Sequence, residues 1–147
     1  MSEVALFIHS TATGPFMWRL LLAELPKGIT PLTPVNRGYT PQDLLPRGSA
    51  FSVHDEVAHL KAQIPPGTTG IHLGGHSYGG FAALTLAREC GLPVRSLWLY
   101  EPVLFGALRQ EPERLSAEAA AQVAELYGAN SMLDETEGGT EAWIERF

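Results

Sequence analysis

Short apolar runs alternate with longer stretches of helical spacing along the 147-residue chain. "VALFIHS" (4–10) is an apolar run that passes into small polar residues and Gly14-Pro15, the pattern of a buried strand leaving into a loop. "FMWRLLLAEL" (16–25) reads as a helix opened by Pro15 and stopped by Pro26. "ITPLTPV" (29–35) is β-branched but broken by Pro31 and Pro34, which fits a short strand near a sheet edge. Residues 36–51 carry Gly, Pro and Asn throughout and read as a surface loop. Val53, Val57, Leu60 and Ile64 then recur at helical spacing behind Ser52, an expected N-cap, until Pro65-Pro66-Gly67. "GIHLGGH" (70–76) is a third strand, "YGGFAALTLAREC" (78–90) a helix closed by Gly91, and "VRSLWLY" (94–100) a fourth strand.

Strands alternating with helices in this way predict βαβ units and a mostly parallel sheet flanked by helices. Farther on, "SAEAAAQVAELYG" (116–128) predicts a helix with Ser116 as N-cap and Gly128 as its stop. "TEAWIERF" (140–147) begins like a helix, with Trp143, Ile144 and Phe147 on one face, and carries no C-cap, so it reads as cut rather than finished. No internal repeat or low-complexity tract is present.

Composition narrows the picture without changing it. With 45% hydrophobic and 18% charged residues, the chain reads as a soluble globular domain with a real core. No apolar run has the length of a membrane span, and "MSEVALFIHS" lacks the basic region and cleavage site of a signal peptide, so a cytoplasmic protein is expected. Cys90 is the single cysteine, which leaves no internal disulfide, and no Cys/His cluster has metal-ligand spacing. The net charge of −6 is uneven, since most of the acidic excess falls after residue 100. Nothing forms the basic footprint of a nucleic-acid binder. The shift implies a second element beginning near residue 106, after a core over 1–105.

"LGGHSYGGFAAL" (73–84) holds the chemistry. Gly75 and Gly79 flank Ser77 at two-residue spacing between a strand and a helix, as a very sharp turn requires, because a Cβ at either flank would collide with neighbouring backbone. Such a turn lifts the Ser77 hydroxyl clear of the sheet and sets it beside helix N–H groups that favour a developing oxyanion. A P-loop is excluded, because Phe81-Ala82 rather than Lys-Ser/Thr follow the glycines. The glycine spacing is also not that of a dinucleotide-binding fingerprint. A glycine-rich turn that merely happens to contain Ser is the structural alternative.

"GHSYG" resembles the nucleophile elbow of the α/β-hydrolase family, and "FIHSTATGPFMW" resembles the strand, oxyanion loop and helix that precede it there. The resemblance covers about residues 4–105. It implies an α/β-hydrolase fold, incomplete here, in which the strand ending at His9 neighbours the elbow strand and the intervening strand pairs on the first strand's far side. A ligand would then bind at the switch point between them. By the same resemblance Ser77 is the nucleophile, and the backbone N–H groups of Thr11 and Tyr78 form the oxyanion hole. Ser10 departs from the family, which usually has Gly there. It is accommodated where its φ is negative, and its hydroxyl is a further hydrogen-bond donor.

The family's base is a His near the carboxyl end, oriented by an acid, yet no His follows Ser77. His9 is expected to stiffen the oxyanion loop and His76 to pack in the core, while His54 and His59 are expected to be solvated. Glu101, ending the fourth strand, is expected to be structural or substrate-facing, with the catalytic acid a minority role. Residues 106–147 resemble the start of the helical cap that many members carry. The expectation is therefore the amino-terminal part of a serine hydrolase for a small ester or related acyl substrate. No cofactor or metal is implied, the 147 residues alone should be inactive, and self-association through an uncovered sheet edge is expected. The alternative from another class is a binding protein that kept the scaffold without the base.

Overall fold

The computed structural model describes residues 2–46, 48–104, 115–122 and 125. Four parallel strands form one sheet in the order β2-β1-β3-β4: β1 (Ser2–Ile8), β2 (Ile29–Leu32), β3 (Thr68–His76) and β4 (Val94–Tyr100). The helices are α1 (Arg19–Ala23), α2 (Val53–Lys61) and α3 (Tyr78–Glu89). The chain leaves β1 for β2 on one side and returns to β3 on the other, so the expected switch point lies between the carboxyl ends of β1 and β3. The chain divides into two compact units, Met1–Val103 and Leu104–Phe147.

Alternation along the strands builds the core. Val4, Leu6 and Ile8 of β1 lie beside Ile71, Leu73 and Gly75 of β3 in register, and their side chains are buried with Val57 and Leu60 of α2 and Ala82, Ala83 and Leu86 of α3. Each fully buried aliphatic side chain contributes roughly 1.5–3 kcal/mol. The alanines are small because α3 lies close to the sheet. The opposite face carries Ala5, Phe7, His72, Ser96, Trp98 and Tyr100, and Trp18 and Leu21 line an apolar pocket there with Phe7, Trp98 and Tyr100.

Local signals act as expected at most ends. Ser52 caps α2 through a reciprocal pair with Asp55, whose carboxylate accepts the Ser52 N–H (2.8 Å) and hydroxyl (2.7 Å). These bonds hold the Asp55 carboxyl below its ordinary range. Gly91 takes φ 72° just past α3. In the second unit Ser116 begins a helix over 117–122, its Oγ accepting the Ala119 N–H at 3.2 Å. Gly128 and the segment 140–147 lie outside the described residues.

The helix expected over 16–25 is shorter: a 3-10 turn, Pro15–Trp18, leads into five α-helical residues. Gly14 stands at the N-cap without a side chain to accept the free N–H groups, so the first turn tightens to the Met17 N–H to Gly14 carbonyl bond. Between two prolines, too few residues remain to propagate further. β2 is likewise cut to four residues with Pro31 inside it, on the sheet edge.

Leu6→Ala, at a fully buried site in the central strand, should lower stability by about 2–5 kcal/mol, whereas Leu44→Ala, at a largely exposed one, should stay within about 0.5 kcal/mol. Urea unfolding midpoints compare the two.

Candidate active site

The site begins where β3 turns into α3. Ser77 sits at the helix N-cap with φ 55° and ψ −118°, backbone angles that glycine adopts and other residues reach only under constraint. Its neighbours impose that constraint. The Ser77 N–H donates to the Tyr100 carbonyl at 2.9 Å, extending the β3–β4 ladder through the serine. Its carbonyl accepts from the N–H groups of Gly80 (3.0 Å), Phe81 (3.2 Å) and Val103 (3.2 Å). The half-buried Ser77 side chain has no hydrogen-bond partner among the described residues.

Glycine is required on both sides for reasons of space. A Cβ on Gly75 would fall on the Gly79 carbonyl oxygen, and one on Gly79 would fall on the Ile8 carbonyl oxygen and come within 2.6 Å of the His9 carbonyl oxygen. The first turn of α3 is therefore packed backbone against backbone on the end of β1. This contact brings the serine turn beside the loop that starts at His9.

That loop, residues 9–13, is fixed from beneath. His9 is fully buried, and its Nε2 accepts the Asn36 backbone N–H at 3.1 Å, so the ring proton lies on Nδ1 and is donated to the Ser10 carbonyl at 2.9 Å. The Asn36 side-chain amide donates back to the His9 carbonyl at 3.0 Å. Tyr39 sets its ring edge-on to His9, centroids 4.8 Å apart, and its hydroxyl accepts the Ala12 N–H at 2.9 Å. Ala12 itself has φ 59°. Ser10 has no positive φ, and its hydroxyl pairs with the Thr13 hydroxyl at 3.1 Å, inside the loop. The N–H of Thr11 is without a partner among the described residues, and so is that of Tyr78, the first residue of α3.

The remaining sequence-singled residues separate. His76 projects to the other face, stacked 5.0 Å from the Tyr100 ring, with Nε2 3.6 Å from a Glu101 carboxylate oxygen and a buried Nδ1 that has no partner among the described residues. It is a half-buried surface group rather than a core one. Glu101 has φ 45° and a side chain 74% exposed. His54 is exposed beside Glu89 (2.9 Å), whereas His59, expected in solvent, is partly buried with Nε2 2.9 Å from the Val35 carbonyl oxygen. Two apolar pockets, about 340 Å³ and 250 Å³, share Phe7 and Trp98 on the sheet face away from α2 and α3.

One residue of the site was overlooked in the sequence. Glu56 of α2 is 1% exposed, its carboxylate accepting the Arg37 N–H (3.2 Å) and the Tyr78 hydroxyl (3.3 Å). It ties the loop after β2 to the residue following Ser77. Burial raises the Glu56 carboxyl above its ordinary range, and burial raises the Tyr78 phenol too, helped by that carboxylate. Its sequence signal was present: position 56 falls within the apolar stripe of Val53, Val57 and Leu60, where a Glu calls for buried partners.

A parallel sheet with a glycine-flanked serine turn at its switch point defines the α/β-hydrolase fold. The chain belongs to the alpha/beta hydrolase family, whose model matches residues 5–147. Among solved structures it is similar to an epoxide hydrolase described from metagenomes of hot environments (22% identity, TM-score 0.57, 73% of this chain and 38% of that one). It is also similar to ClbQ from the colibactin NRPS/PKS pathway (17% identity, TM-score 0.53, 78% and 56%). The chain spans about half or less of each of these proteins. No curated protein matches it by sequence. Among the described residues no helix is long and apolar enough to cross a membrane, and no cluster of His, Cys, Asp or Glu is arranged to hold a metal ion.

Two outcomes check this geometry. Ser77→Gly should raise stability by about 1–3 kcal/mol by relieving the backbone constraint, and Ser77→Ala should be near neutral, whereas Gly79→Ala should cost about 3 kcal/mol or more. Because folding raises the Glu56 pKa, the folded chain holds that proton more tightly than the unfolded one. The contribution of Glu56 is therefore greatest below its ordinary pKa of 4.5 and is lost as pH rises through the raised value. The stability of Glu56→Gln relative to the parent should accordingly improve as pH rises from below that ordinary value, read from urea midpoints.

Proposed function

We propose that this chain carries the nucleophile half of a serine hydrolase acting on a small ester or related acyl substrate. The backbone of Ser77 is the observation that supports this reading most: a serine held at φ 55° and ψ −118° on the first residue before α3, between two glycines that admit no Cβ. A structural turn would place glycine there and release the strain. Ser77 Oγ attacks the acyl carbon, and the developing oxyanion is received by the N–H groups of Thr11 and Tyr78, strengthened by the amino end of α3. Collapse of that tetrahedral adduct breaks the bond to the alcohol, which leaves with the proton given up by Ser77, and water then adds to the acyl-Ser77 and releases the carboxylic acid while the proton returns to Ser77 Oγ. His9 holds the Thr11 loop in place rather than taking the serine proton, because its Nε2 lone pair is already engaged by Asn36. Ser10 closes the loop on Thr13, and Glu101 at the end of β4, its carboxylate 3.6 Å from His76, keeps a structural role in this reading.

A base is the missing component. No His follows Ser77 in the 147 residues, and His9, His54, His59, His72 and His76 are each engaged elsewhere or directed away. The base and its acid are therefore assigned to a segment beyond Phe147 in a longer protein, with residues 106–147 as the start of a lid. No cofactor takes part, and a cytoplasmic location fits this reading. The same lack of a base favours the second reading, a binding protein that uses the Thr11 and Tyr78 donors without turnover.

Hydrolysis of 4-nitrophenyl acetate separates them. The longest in-frame protein containing these residues should turn it over, with Ser77→Ala costing about 10³-fold or more in kcat, and the 147 residues alone should not. If neither hydrolyses the ester, the binding reading takes its place. Efficient turnover by the 147 residues, lost on Ser77→Ala, would mean that one of their own histidines serves as base.

A further inference from the structure

Residues 10–13 form a tight turn closed by the Thr13 N–H on the Ser10 carbonyl at 3.3 Å. Thr11 and Ala12 are its central residues, and of the two only Ala12 has positive φ, 59°. A turn of that kind takes glycine or asparagine at this place, because a Cβ there is crowded by the following carbonyl. Ala12 is neither, so a partner outside the turn must hold it. That partner comes from the loop after β2. The Ala12 N–H donates to the Tyr39 hydroxyl at 2.9 Å, its one acceptor among the described residues. Tyr39 is fixed in its own right. Its N–H donates to the Asn36 carbonyl at 3.3 Å, the Gly38 N–H before it to an Asp43 carboxylate oxygen at 3.2 Å, and its ring lies edge-on to buried His9. At the other end of the Thr11–Ala12 peptide, the Thr11 carbonyl receives the Ser10 hydroxyl at 3.4 Å.

We infer that Tyr39 is a positioning residue for the Thr11 amide, its hydroxyl selecting the left-handed form of the 10–13 turn in which that amide has no partner of its own. The inference rests on the reading of Thr11 as an oxyanion donor to Ser77. Without the hydroxyl, negative φ is favoured at Ala12 by about 10-fold, and adopting it turns the Thr11–Ala12 peptide over. Water can accept the same N–H, but in either form of the turn, so it selects neither. A ligand that needs the left-handed form is then bound in proportion to that form's population. Oxyanion donors act through such prior placement, and a loop divided between two forms gives part of it up. Glycine at this place would remove the need for a holder, because it takes positive φ freely.

Titration of the 147-residue chain with phenylboronic acid, followed by amide NMR with Ser77→Ala as the blank, tests this. Tyr39→Phe keeps the ring against His9 and should weaken the boronate about 10-fold with little change in the urea midpoint. Ala12→Gly alone should bind within about 3-fold of the parent, and adding Tyr39→Phe to it should cost less than about 3-fold more. A Tyr39 that only stabilises the fold would lower the urea midpoint and leave the affinity of the folded chain unchanged, and that result overturns the inference. So does an equal loss on Tyr39→Phe with and without Ala12→Gly, which would put the hydroxyl on the ligand rather than on the turn. A parent chain that forms no adduct sensitive to Ser77→Ala removes the Ser77 reading and this one with it, whereas a parent adduct undiminished by Tyr39→Phe removes this one alone.

Discussion

The first turn of α3 meets the end of β1 with no side chain between them, and the rest of the site depends on that approach. Gly79 lies against the carbonyls of Ile8 and His9, and Gly75 against the carbonyl of Gly79. Two missing Cβ atoms allow a helix to start directly over the sheet rather than beyond a loop. The turn between them then has only one compact path, which forces Ser77 into a left-handed conformation. Hydrogen bonds from three N–H groups to the Ser77 carbonyl and from the Ser77 N–H to Tyr100 keep the constraint from relaxing.

Strain gathers at the carboxyl ends of the strands. Ala12 after β1, Ser77 after β3 and Glu101 after β4 are the described non-glycine residues with positive φ. An open parallel sheet binds ligands at that end, so backbone angles that cost energy elsewhere are concentrated where a site is expected. Beneath them lies a polar foundation. His9, Asn36 and Glu56 are buried, each hydrogen-bonded to backbone, and together they fasten the loop after β2 to the loop after β1 and to Tyr78. A buried group of this kind is rigid only while its partners remain paired.

Much of this was legible in the residues. The strands declared themselves through short apolar runs, and Gly75 and Gly79 announced the turn, because glycine at both flanks has few other uses between a strand and a helix. Gly91 and Ser52 marked helix ends by their own chemistry. The length of α1 was less legible, since apolar content over 16–25 said nothing of the uncapped start at Gly14 that tightens the first turn. The buttress was not legible at all. His9 pairs with Asn36, 27 positions away, and Glu56 with Tyr78, 22 away; only the fold brings them together. His59 was misplaced for the same reason, because the Val35 carbonyl that receives it belongs to a distant turn.

A crystal structure of the chain with a saturating arylboronic acid tests the central claim most directly, since boron adds to an exposed serine oxygen and becomes a tetrahedral anion resembling the intermediate of acyl transfer. The account predicts a bond from boron to Ser77 Oγ and one boronate oxygen accepting the N–H groups of both Thr11 and Tyr78 at about 2.7–3.1 Å. Boron bound elsewhere, or bound to Ser77 with its oxygens turned away from those two amides, would contradict it.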